Sequence, residues 1–220
     1  MPSKAWDAFS SNKADIDRLW AIHQDVAGAG PGRKHDVEVL NRAAIVFITA
    51  CWESYVEDVA LEGFDFLVAN APDASKVPGK VRALASAELR EAVDATKVWE
   101  LADQGWKQVL TRHRAAVKKR WLDSLNTPKT EQVDSLFKDL LGLSALHAHW
   151  HWKGMPAEKA KDKLDDYITV RGAIAHRLKH DEAVYKDWST DYLGHVERLV
   201  NATDGAVAAH LEQHVGMKPW

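Results

Sequence analysis

The chain is expected to fold as a single all-α domain, and three features of the sequence lead there. Apolar residues recur at three- and four-residue spacings along most of its length, the repeat of helices that each bury one face. β-Branched residues nowhere alternate with polar ones over a run long enough to suggest a strand. At 220 residues, 46% hydrophobic and 28% charged, the chain can bury a sizeable core and has an ordinary composition for one soluble domain.

A first helix is predicted over residues 4–27, closed by "GAGPG", whose glycines and proline favour a turn. The second, over 36–70, contains the longest apolar run, "AAIVFITACW" at 43–52. This run falls well short of the roughly 20 residues needed to cross a bilayer, so it reads as a buried core helix. A stretch rich in Ala, Leu, Lys and Glu, 78–125, is predicted helical with a division at Gly105. Thr127 is placed as the N-cap of the next helix with Pro128 at its first position, where a missing N–H costs nothing, and Gly142 as its stop. "LSALHAHWHWKGM" is expected to be a loop. Pro156 then opens a helix running to 179, and a last helix, capped by Asp181, covers 182–214. No repeat or low-complexity linker divides the chain, so the helices are assigned to one bundle.

The formal net charge of −3 excludes a strongly basic overall field for holding nucleic acid, though not a local basic site. Two local groups exist: "KQVLTRHRAAVKKR" at 107–120, and Arg171, Arg177 and Lys179 near the end of the predicted 156–179 helix. Either can be a solvated helix face. The one cysteine, Cys51, cannot make an internal disulfide, and the polar N-terminus lacks the apolar stretch of a signal peptide. A cytoplasmic location is therefore expected, with no membrane partner.

Within "DDYITVRGAIAHRLKH", residues 165–180, the helical repeat aligns Tyr167, Arg171, Ile174 and Leu178 with the preceding Leu164 on one stripe. Arg171 interrupts that stripe with a charge that cannot be neutralised, so it must meet a carboxylate, a phosphate or water. A structural partner is available in Glu53, at the end of the apolar run. His176 lies on another face, beside small residues and His180. Five residues turn an ideal helix by about 500°, leaving Arg171 and His176 about 140° apart. Both can address one phosphate if the helix distorts, if the arginine stem reaches round, or if a second subunit brings its own copy alongside, which would place the site at a two-fold seam.

Arg171 and His176, in "RGAIAHR", match the Arg, four to six residues, His motif of the HEPN superfamily, which the chain resembles. An early apolar helix with an acidic residue, "RAAIVFITACWESYVEDV", the loop "HWHWKGM", and "AEKAKDKLDDYITVRGAIAHR" before a long closing helix make it similar to the RiboL-PSP-HEPN branch. The likeness covers residues 36–215, with 1–35 as an N-terminal appendage. It implies a HEPN-type bundle of four to five core helices with additional ones, a homodimer, and a metal-independent endoribonuclease needing no cofactor. Imidazole titrates near neutrality and can move the proton of an RNA 2′-hydroxyl or of the leaving oxygen, the role implied for His176. Arginine offers a permanently charged fork to phosphate oxygens, the role implied for Arg171. Glu53, Gly172 and Arg177 are supporting candidates. Lys179, His180, Trp150 and Trp152 are candidates for holding RNA, the tryptophans by stacking on bases. Such domains resemble effectors of phage defence, toxin or stress systems, which leaves room for a regulatory protein partner.

Two departures from the family pattern matter. Gly172 stands where many members carry Asn or Asp after the arginine, and Leu178 stands where some carry a tyrosine that is adenylylated. The first keeps a second expectation open: a catalytically inactive HEPN-like module that binds RNA, a nucleotide or a protein. A third class, a metalloenzyme built on His147, His149 and His151, has only their alternate spacing behind it; a packed loop is the simpler reading.

Overall fold

A computed structural model describes residues 1–28, 37–122, 127–177 and 185–220. Helix α1, Lys4–Ala27, starts where the Ser3 hydroxyl oxygen accepts the Trp6 amide at 3.0 Å. Glu62 takes up two more first-turn amides, those of Lys4 and Ala5, each at 3.1 Å, which supplies a negative charge where the helix dipole favours one. Helix α2, Glu38–Asn70, buries residues around its whole circumference, among them Ile45, Ile48, Trp52, Val56, Val59 and Leu67. Such a helix is stable only at the centre of a bundle. Phe9 and Ile16 of α1 belong to the same core.

The predicted middle helix is instead a series of short pieces. A 3-10 turn at Ala74–Lys76 precedes α3, Gly79–Ala85, and α4, Ala87–Glu91; a second 3-10 stretch, Ala95–Leu101, leads to α5, Gly105–Val117, which runs into a π-helical turn at Lys118–Leu122. Asp94 causes one of the interruptions, and Asp73 makes the same kind of turn just ahead of the predicted stretch. Asp73 and Asp94 accept the Ser75 and Thr96 amides at 2.7 and 2.9 Å, local bonds that compete with helix continuation. Gly105 does begin a helix: a Cβ there would lie 2.0 Å from the Glu100 carbonyl oxygen.

Helix α6, Thr130–Leu141, begins later than Thr127 and Pro128 led us to expect. The Pro128 carbonyl is engaged by the Trp52 indole at 3.1 Å, and the free amide of Thr130 is capped from a distance by Asp165, whose carboxylate accepts the Thr130 amide at 2.8 Å and its hydroxyl at 3.0 Å. The stop is as expected: Gly142 adopts φ 69° and ψ 9°, a left-handed conformation that a side chain would strain. A 3-10 turn at Leu146–His149 and a tight turn closed by the Trp152–Met155 bridge form the loop that follows.

Helix α7, Ala157–Arg177, carries the motif, and α8, Lys186–Val215, lies against it. The expected stripe is buried at Leu164, Tyr167 and Ile174. Leu178 and the Asp181 cap lie outside the described residues. α1, α6, α7 and α8 surround α2; among the described residues there is no strand, and no helix is long and apolar enough to cross a membrane.

Candidate active site

Arg171 stands one turn after Tyr167 on the buried stripe of α7. It is half-buried, and its Nε atom is shielded from solvent. Two groups share its surroundings. Glu53, from α2, has its carboxyl pushed above the usual range by burial, and the charge of Arg171 pulls it back. Tyr192, from α8, is wholly buried; burial raises its phenol while its bond to Thr49 and the charge of Arg171 oppose the rise. Thr49 Oγ1 and the Tyr192 hydroxyl are 3.0 Å apart, and Thr49 lies one turn before Glu53 on α2. Three helices thus converge on the arginine.

The floor beside it is a stacked and hydrogen-bonded network. Tyr167 and Tyr192 stack with centroids 4.1 Å apart at 18° between planes, and the Tyr167 hydroxyl donates to Asp191 at 2.7 Å. Lys163, one turn earlier on α7, closes this network on Asp191 at 2.7 Å. Burial first, then the bond to Asp191, raise the Tyr167 phenol, so it stays a donor at neutral pH. These tyrosines, Asp191 and Lys163 were not singled out from sequence; only the place of Tyr167 on the stripe hinted at them.

Gly172 follows Arg171 in open space, with no neighbouring atom within 4 Å of where a Cβ would stand. His176 and Arg177 occupy the last turn of α7, and Lys179 and His180 lie outside the described residues. The expectation that Trp150 stacks on RNA is corrected. It is 0% exposed, its indole donates to Thr203 at 2.9 Å, and its ring meets Trp52 edge-on, so it presents no face to a base. Trp152 is half-buried on the surface between α7 and α8, 5.4 Å from the His195 ring. His147 is bound to Asp134 through both its amide and its Nδ1, while His149 and His151 are exposed. Among the described residues no group of three or more His, Cys, Asp or Glu side chains is placed to hold a metal ion.

A helical bundle whose motif helix sets an arginine beside an acidic residue of the central helix, with a histidine in its last turn, is a domain of the HEPN type. The chain belongs to the RiboL-PSP-HEPN family, whose model matches residues 11–209. That span takes in most of α1. No curated protein and no solved structure matches the chain.

Proposed function

We propose that this domain is a metal-independent endoribonuclease, active as a homodimer with Arg171 and His176 of both copies at the seam. The 2′-oxygen of a ribose attacks the adjacent phosphorus while the bond to the 5′-oxygen breaks. One imidazole takes the 2′-hydroxyl proton and the other copy's gives a proton to the leaving 5′-oxygen. Arg171 stabilises charge on the phosphoryl oxygens between them. The products are a 2′,3′-cyclic phosphate and a 5′-hydroxyl, and DNA, lacking the nucleophile, is spared. The observation that carries this reading is the setting of Arg171: a motif arginine, half-buried, with its surroundings fixed by Glu53 and the tyrosine pair. On the same resemblance we assign it to a defence, toxin or stress system.

The test compares wild type with Arg171→Ala and His176→Ala on single-stranded and structured RNA in excess EDTA, reading product ends and rates. Each substitution is expected to lower the rate about 100-fold or more, with folding and dimerisation intact. Cleavage that persists in both variants would sink the assignment. Binding of RNA by a wild type that cleaves none would establish the inactive, RNA-binding form of the domain instead.

A further inference from the structure

A cleft of about 320 Å³ opens between the Trp152 turn, α7 and α8, lined by Trp152, Lys153, Lys163, Asp191, His195 and Arg198. Its charge runs against that of the whole chain. Three cations face one carboxylate, a local balance of +2 on a protein of formal net charge −3. The carboxylate is engaged by Lys163 and by the Tyr167 hydroxyl, each at 2.7 Å. Neither Lys153 nor Arg198 is in an ion pair with a described carboxylate. The Arg198 guanidinium sits 5.5 Å from the centre of the Trp152 ring, which holds it in place without neutralising it. His195 adds no charge at neutral pH: its Nε2 donates to the Ala160 carbonyl oxygen at 2.9 Å, and burial pushes the imidazole down to about 4.

We propose that this cleft is a phosphate subsite that grips the RNA backbone at a phosphate other than the one at Arg171. The inference rests on the ribonuclease reading for its choice of RNA. Lys163, Tyr167 and Arg171 follow one another at four-residue steps on α7, which sets the cleft about 12 Å from Arg171 along the helix axis. A single phosphate cannot reach both places, whereas a strand of several nucleotides can. Lys153 and Arg198 supply the charge that no described carboxylate answers, while Lys163 offsets the charge of Asp191, which is itself exposed in the cleft.

The probe is a labelled 2′-O-methyl oligonucleotide of about 12 nucleotides, which has no nucleophilic hydroxyl and so survives whether or not the protein is a nuclease. Its binding is followed by fluorescence anisotropy over a salt series for wild type, Lys153→Glu, Arg198→Gln and the double variant, with circular dichroism to confirm folding. Lys153 is exposed, so its substitution does not threaten the core, and Arg198→Lys should restore part of the affinity. The double variant is expected to bind about tenfold more weakly, with the slope of log affinity against log salt reduced by about 1.4, the value for two single-strand phosphate contacts. Wild-type affinity and slope in the double variant would overturn the subsite. Weakened binding by a protein that never cleaves RNA would keep the subsite and remove the activity. Adenosine monophosphate is tested in parallel: binding that depends on Arg198, with none of the oligonucleotide, would assign the cleft to free nucleotides and overturn the backbone role, as would binding of neither.

Discussion

The charge of Arg171 acts on the ionisation of Glu53. Burial raises the Glu53 carboxyl and the guanidinium lowers it, so Arg171→Ala should move the Glu53 pKa further up, read from its carboxyl carbon shift in an NMR titration. An unchanged titration would mean that the two charges are not coupled. A folded pKa above the ordinary value favours the native state most below the usual carboxylate range, and that contribution is lost as pH rises through the folded pKa. Removing Arg171 should therefore destabilise the protein more at pH 7 than at pH 4, by about 1 kcal/mol because both side chains are partly solvated. That Glu53 shares the surroundings of Arg171 was legible in the sequence, because a charge on an apolar stripe must be answered by something. Trp150 and Trp152 were not separable: they sit two residues apart in a loop, and only the turn that sends one ring under Thr203 and leaves the other beside Arg198 distinguishes them.

The long elements could be read because apolar repeat and punctuation agree: α1, α2, α6, α7 and α8 all lie where glycines, prolines and the helical period put them, within a few residues. The stretch from 74 to 122 could not be read so well. From 78 on its composition favours helix, and the local bond of Asp94 that breaks it carries no period. The start of α6 was misplaced for another reason, since its cap comes from α7 rather than from the neighbouring chain. Asp165→Ala removes that cap and is expected to cost about 1–2 kcal/mol, seen as a lower urea midpoint with an unchanged slope. Gly142→Ala should destabilise too, because a Cβ there would stand 2.5 Å from that of Pro78 in addition to the left-handed strain.

At the scale of the molecule, acid should find a weak point between α7 and α8. Burial pushes the His195 imidazole down to about 4, against the influence of its bond to Ala160. The native state therefore holds this ring neutral, a contribution complete above pH 6.5 and lost as pH falls toward 4. The full effect amounts to at most about 3 kcal/mol. His195→Gln keeps an amide donor without the titration, and its stability curve should be flatter than that of wild type over this interval; parallel curves would show that acid sensitivity lies elsewhere. Helix α7 passes through this region like a beam clamped near its middle, by Asp165 to α6 and by Tyr167 to α8. The arginine it carries is in effect bolted to a frame, so its backbone is ordered during folding and not during encounter with a ligand. An arginine on a mobile arm would have to surrender backbone freedom on meeting a ligand; one carried by a docked helix has less of it to lose.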